Sequence, residues 1–308
     1  MSQADADRAL GRLLYELDAA GYRFTPPTPE THRRVVARRS EAENLRDVFG
    51  WSLPFRAGLL DPALLAALEA SDMLSRDGDG MRSAVRVASV GNALFLHSAY
   101  PTDAADAVFF GPDTYRFIAF LDRELPLLPA PHSLADIGAG SGAGAIMAAR
   151  HAPNATLTLV DINPLALRFA RINALHNKVH VSTVAGSGIE PVEGPIELAI
   201  ANPPFIRDAA GRAYRDGGGM HGAALSLDWA TATAARLAPG GRMLLYTASA
   251  IVGGRDALRD ALADRVAAQG CTLRYAEIDP DIFGEQLDEP GYEEVERIAA
   301  VGVVIARR

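Results

Sequence analysis

From about Pro131 to Arg308, short apolar runs alternate with amphipathic stretches, and this alternation constrains the fold more than any other feature of the chain. The runs Ser133–Ile137, Thr156–Val160, His180–Val184, Ile196–Ala201, Arg242–Thr247, Thr272–Ile278 and Ile298–Ala306 have the length of strands. Between them, Gly142–Arg150, Pro164–Leu175, Ala223–Leu237 and Arg255–Gln269 repeat apolar residues at helical spacing. Parallel neighbours need a crossover, and a helix is the usual one. The alternation therefore predicts an α/β fold with a doubly wound, seven-stranded, mostly parallel sheet. No helix signal separates the last two strands, only the loop 279–296, so an antiparallel strand is expected at the sheet edge.

The first hundred residues read differently. Leu10, Leu13, Leu14 and Leu17 mark a helix over Ala4–Ala20, ended by Gly21. Pro26, Pro27 and Pro29 break the chain, and two short helices are expected over Thr31–Arg39 and Glu41–Phe49. Asp61 and Pro62 have the residue types that start a helix running to Leu68. Asp77-Gly78-Asp79-Gly80 is a tight-turn signal between short apolar runs. Helices followed by a hairpin suggest a winged-helix-like domain over residues 1–103, serving as a substrate cover or in dimerisation, ahead of a second domain over 104–308.

A single cysteine, Cys271, rules out a disulfide framework or a cysteine-based metal site. With no signal peptide and no bilayer-length apolar run, the reading is a cytoplasmic protein without membrane contact. The net charge of −8 argues against a general grip on phosphate backbones.

The segment Leu134-Ala-Asp136-Ile-Gly138-Ala-Gly140-Ser-Gly142-Ala-Gly144 leaves a strand and opens a helix. Glycines there let the backbone turn sharply and approach a ligand. Asp161 ends the next strand, where a carboxylate can accept two ribose hydroxyls. Together they indicate an adenosine-bearing cofactor but do not separate a nicotinamide dinucleotide from S-adenosylmethionine. Asp136 favours the latter, because a carboxylate repels a pyrophosphate and attracts a sulfonium or ammonium. The glycine loop could also be a packing turn, and Asp136 and Asp161 turn-stabilising caps.

Ala199-Ile-Ala-Asn202-Pro203-Pro204-Phe205 carries an apolar strand straight into a stiff turn. In open α/β sheets ligands bind beyond the carboxyl ends of the strands. The Asn202 side-chain oxygen and the Pro203 carbonyl are two fixed acceptors. They could hold the hydrogens of an amino group and turn its lone pair outward, which is catalysis by positioning. Phe205 could stack on a planar substrate.

These motifs resemble class I S-adenosylmethionine-dependent methyltransferases, Rossmann-like enzymes in which (Asn/Asp)-Pro-Pro-(Tyr/Phe) follows the fourth strand. The likeness is closer to the HemK-like, "methyltransferase small domain" group, over roughly residues 108–250. Gly111-Pro112-Asp113-Thr114-Tyr115 resembles that group's Arg-Pro-(Glu/Asp)-Thr-Glu, which starts a helix beside the cofactor. The resemblance implies S-adenosyl-L-methionine held by Asp136, Gly138, Gly140, Gly142, Asp161, Ile162, Ser187 and Asn202, with catalysis at Asn202, Pro203, Pro204 and Phe205. Two departures stand out. Gly186-Ser187-Gly188-Ile189-Glu190-Pro191 replaces the family's Gly-Asp-Leu-Phe-Glu-Pro, so the carboxylate near the adenine is missing. Tyr115 stands where the family has Glu.

The expected activity is N-methyl transfer to a planar or amino nitrogen of a small molecule or protein side chain, with an RNA or DNA base less favoured. A homodimer is a further expectation. Substrate contacts are expected from Phe110, Thr114, Tyr115, Tyr214, Asp216 and His221, with the glycine-rich stretch 217–219 as a mobile lid. Trp229 and Tyr246 read as packing residues. The acids of 279–294 read as a solvated loop, without the spacing of a metal site. A reading of another class is a winged-helix DNA-binding regulator with a ligand-sensing sheet domain, its basic stretch being His32-Arg33-Arg34 with Arg38-Arg39.

Overall fold

The computed structural model describes residues 2–77, 80–208 and 215–308. The centre of the Asp77–Gly80 turn and Tyr214 therefore lie outside the described residues.

The N-terminal part builds helices α1 (Gln3–Ala19), α2 (Pro29–Val36), α3 (Leu45–Phe49) and α4 (Pro62–Ala70). It then forms strands β1 (Leu74–Asp77), β2 (Gly80–Ser83), β3 (Val85–Val90) and β4 (Ala93–Ser98). The helix starts are chemical. Ser2 and Asp5 form a capping box on α1, and the Asp61 side chain accepts the Ala63 N–H of α4. Leu10, Leu13, Leu14 and Leu17 are fully buried, as their spacing requires. The strands pair as two antiparallel hairpins, β1 with β2 and β3 with β4.

Helix α5 (Pro112–Glu124) leads into the alternating part. There follow β5 (Ser133–Ile137), α6 (Ala143–Ala148), β6 (Thr156–Asp161), α7 (Pro164–His176), β7 (Ser182–Ala185) and β8 (Ile196–Ala201). The chain continues through α8 (Ala224–Arg236), β9 (Leu237–Val252), the short β10 (Arg255–Asp256), α9 (Ala257–Ala268), β11 (Cys271–Asp279) and β12 (Val295–Arg307). The sheet order is β11-β12-β9-β8-β5-β6-β7, with β10 pairing on β9. Strands β9, β8, β5, β6 and β7 are mutually parallel. The expected mostly parallel α/β sheet is thus present. Its reversed strand, β12, lies one place in from the edge, antiparallel to both β9 and β11.

The chain resolves into two compact units. One gathers Met1–Arg116, Gly140–Ala143 and Leu165–His180, and the other gathers Phe117–Ala139, Gly144–Pro164 and Val181–Arg308. Within the first, Asn173 is fully buried and acts as a polar rivet. Its Oδ1 accepts the Leu96 N–H at 2.7 Å, and its Nδ2 donates to the carbonyls of Leu96 and Ser141. The basic stretch expected to face DNA is largely neutralised in this unit. Arg33 and Arg34 pair with Glu30, Arg39 pairs with Asp47, and His32 is buried.

In the second unit, Ile137, Ala201, Leu245, Val301 and Ile305 pack with Leu227 and Ala230 of α8 and Leu258 and Leu262 of α9 into one apolar core. This core holds the strand ends that carry the candidate site. Among the described residues, no helix is long and apolar enough to cross a membrane.

Candidate active site

Three loops leave neighbouring strands at their carboxyl ends. The loop after β5 turns through Gly138, Gly140 and Gly142, with φ of 70°, 54° and 78°. These are left-handed values that side chains resist. The N–H groups of Gly138 and Ala139 both donate to the Val160 carbonyl on β6.

Asp136, on β5, is buried, and its Oδ2 accepts the Ala145 N–H at 2.9 Å in the first turn of α6. Burial pushes its carboxyl up to about 7, opposed by the Ala145 N–H and reinforced by the negative charge of Asp161. Asp136 therefore ties the glycine loop to the helix that follows it.

Asp161 ends β6, and its Oδ1 accepts the Asn163 N–H at 2.9 Å. The next residue, Ile162, is 56% exposed, a large apolar side chain left in water beside a strand-end carboxylate. That pairing suits a nucleoside, with hydroxyls for the carboxylate and a flat base for the apolar side chain. Ser187 lies exposed in the loop after β7.

The turn after β8 is the chemically distinctive element. Asn202 follows Ala201 directly, and Pro203 and Phe205 are buried. The Asn202 Oδ1 is buried and has no hydrogen-bond partner among the described residues. A buried acceptor left unmade costs about 1–3 kcal/mol. Such a group marks a site where a donor is expected to arrive. The Phe205 ring is 9% exposed and meets Tyr246 edge-on at 6.1 Å and Phe283 at 5.9 Å between centroids. Phe205 is thus largely enclosed by other rings.

The segment expected as a mobile lid is, where described, laddered onto this turn. Ile206 N–H donates to Arg215 O, Gly217 N–H to Ile206 O, and Leu225 N–H to Gly217 O. A Cβ on Gly217 would stand 1.8 Å from the Gly222 carbonyl oxygen and 2.7 Å from that of Pro204. Glycine is required here by close backbone approach, not by looseness. Asp216 accepts N–H groups from Asp208 and Gly218. His221 holds a left-handed backbone, φ 54°, with its ring 5.7 Å from that of Tyr292.

The remaining sequence candidates sit in the first unit. Phe110 is fully buried among Phe95, His97 and Tyr115. The Thr114 hydroxyl accepts the Gly111 N–H at the start of α5. The Tyr115 hydroxyl donates to the Ser89 carbonyl at 2.8 Å, and burial pushes it up to about 12. These three side chains make structural contacts.

Residues 119–266 match the family described as the methyltransferase small domain. The release factor glutamine methyltransferase of Deinococcus radiodurans is 31% identical over 197 residues, covering 60% of this chain and 66% of that protein. Over residues 119–266, just under half of the chain, the protein is similar to the S-adenosylmethionine-dependent methyltransferases. The ribosomal RNA small subunit methyltransferase C of Haemophilus influenzae is 38% identical over 80 residues, 26% of this chain and 24% of that protein. The chain thus spans just under two thirds of the first relative's length and about a quarter of the second's. The crystal structure of Trm5b from Pyrococcus abyssi shares the fold, with a TM-score of 0.51 and 14% identity, covering 76% of this chain and 62% of that one.

The Asn-Pro-Pro-Phe turn is braced by side chains from the loop between β11 and β12, whose acidic composition suggests only a solvated stretch. The Tyr292 hydroxyl accepts the Arg207 N–H at 2.9 Å and donates to the His221 carbonyl at 3.0 Å. Gln286, buried in the same loop, accepts from Arg215 at 2.8 Å. Phe283 reaches Phe205 from a left-handed backbone with φ 56°. The available signal was the apolar and aromatic content of the loop, Ile282, Phe283 and Tyr292 among its acids.

Proposed function

We propose that this methyltransferase modifies a planar or amino nitrogen, and that Asn202 and the Pro203 carbonyl receive it. The observation that carries the reading is the buried, unpartnered Asn202 Oδ1 at the carboxyl end of β8. An acceptor held there by two prolines and a packed turn loses little freedom when an N–H group docks. Two acceptors on one nitrogen orient its lone pair, and their partial negative charge favours the positive charge that develops on it during methylation. Neither role needs a strong base.

S-adenosylmethionine supplies an electrophilic methyl group when bound. Gly138, Gly140, Gly142, Asp161, Ile162 and Ser187 are assigned to hold it, with Asp136 setting the glycine loop and Asn202 bordering both ligands. Phe205 closes the acceptor side.

The acceptor is read as a small molecule or a protein side chain ahead of a nucleic-acid base. One relative is named for a release-factor glutamine and another for ribosomal RNA. The net charge of −8 weighs against the second. Residues 1–103 are assigned to acceptor recognition or self-association.

Calorimetric titration with S-adenosylmethionine and S-adenosylhomocysteine tests the cofactor. Transfer of labelled methyl into the small-molecule, protein and RNA fractions of a cell extract tests the acceptor. The Asn202→Ala variant should lose roughly 100-fold in transfer, in the range of a removed charge-stabilising group, with a much smaller change in S-adenosylhomocysteine affinity. Failure of the wild type to bind either cofactor form would end the proposal.

A further inference from the structure

The missing carboxylate at Ser187 leaves the adenine ring without the hydrogen bond that the family resemblance implies. The structure offers a different kind of partner. Strands β5, β6 and β7 end side by side, with Ile137 opposite Val160 and Asp161 opposite Ala185. The loop leaving β5 begins at Gly138, and the loop leaving β7 carries Gly188.

The Trp229 side chain, on α8, touches both loops. A Cβ on Gly138 would stand 2.9 Å from Cη2 and Cζ3 of the indole, and one on Gly188 would stand 2.5 Å from the Glu190 Oε2 and 3.4 Å from the indole Cδ1 and Nε1. The six-membered ring therefore rests at the first loop and the pyrrole edge at the second. Since β6 lies between β5 and β7, an indole that meets both flanking loops sits beside the end of β6. Asp161 and the exposed Ile162 emerge there.

Trp229 borders the apolar core yet is only partly buried, and its Nε1–H forms no hydrogen bond among the described residues. Buried tryptophans usually find a partner for that group. A partly open indole with a spare donor, at the carboxyl ends of parallel strands, is the surface a purine needs. An indole can supply a π face for stacking and an N–H for a ring nitrogen.

We propose that Trp229 forms a wall of the adenine site and holds the base by aromatic stacking, in place of the carboxylate that Ser187 lacks. Gly138 is then small partly so that the indole can lie against the loop after β5. The inference rests on the cofactor reading above, and one titration separates the two.

The chain has two tryptophans, so Trp51→Phe leaves Trp229 as the only indole. S-adenosylhomocysteine is titrated into this protein while emission and heat are followed together. The expected result is a change in Trp229 emission that saturates with the heat signal. Trp229→Leu should raise Kd about tenfold or more, in line with the loss of one base–aromatic stack, while Trp229→Phe keeps most of the affinity. Heat of binding with unchanged emission would overturn the inference and leave the cofactor reading intact. So would a Trp229→Leu Kd within about twofold of wild type. No heat at all in the wild type would overturn both. Should Trp229→Leu not fold, the emission titration decides alone.

Discussion

Asp136→Asn separates the cost of a buried charge from the value of a buried hydrogen bond. The wild-type carboxyl is 2% exposed and receives one N–H, from Ala145. Its folded value is about 7 against an ordinary 3.8. That difference is roughly 3 units at about 1.36 kcal/mol each, so ionising it in the fold costs on the order of 4 kcal/mol. The direction follows from proton linkage. The folded chain holds this proton more tightly than the unfolded chain, so stability from the group is fully present below pH 3.8 and is lost as pH rises through about 7. Asparagine keeps an oxygen for Ala145 and never ionises. The stability difference between Asp136→Asn and wild type should therefore widen in favour of the variant by ~2–3 kcal/mol between pH 5 and pH 8. In a unit of this size that is roughly a 5–10 °C larger gain in Tm at pH 8 than at pH 5. Thermal unfolding by circular dichroism across that range reads it directly. A constant offset between the two proteins from pH 5 to pH 8 would show that burial does not hold this carboxyl neutral.

Three further outcomes are expected. Gly217→Ala forces a methyl onto the backbone carbonyls of Gly222 and Pro204. Overpacking of this kind costs about 1–3 kcal/mol or more, and methyl transfer should fall while calorimetry still shows S-adenosylhomocysteine binding. Tyr292→Phe removes the hydroxyl shared by Arg207 and His221. About 1–3 kcal/mol of stability should go with it, seen in denaturant unfolding, along with a lower kcat at unchanged cofactor affinity. Asn173→Ala leaves buried groups of Leu96 and Ser141 without partners. A loss of roughly 3 kcal/mol or more should appear in thermal unfolding, and recovery of native stability in that variant would contradict its role.

Much of the sheet was legible because its signal is local. The apolar run Ile196–Ala201 matches β8 residue for residue, and Ser133–Ile137 matches β5. Strand β9 was expected over Arg242–Thr247 but runs from Leu237 to Val252. Its far end, Ala248–Val252, is held by five register pairs with β12, a long-range partner that local periodicity does not reveal. The placement of Leu165–His180 with the N-terminal unit was likewise invisible, because Asn173 looks like any polar residue on a helix until Leu96 stands against it. At the proposed site, Asn202 stands out in the sequence through the prolines that follow it. Its bracing does not, since Tyr292 lies 90 positions along the chain and the acids around it suggested solvent. The three glycines 217–219 suggested mobility, whereas Gly217 serves close contact.

The bracing of Arg207 and His221 by Tyr292 ties the turn after β8 to a segment far along the chain. Cofactor contacts are proposed for the loops after β5, β6 and β7, whereas the turn proposed to receive the acceptor is braced by the connection between β11 and β12. If the acceptor docks at Asn202 as proposed, exchange of that single connection should alter acceptor preference while leaving S-adenosylhomocysteine affinity unchanged.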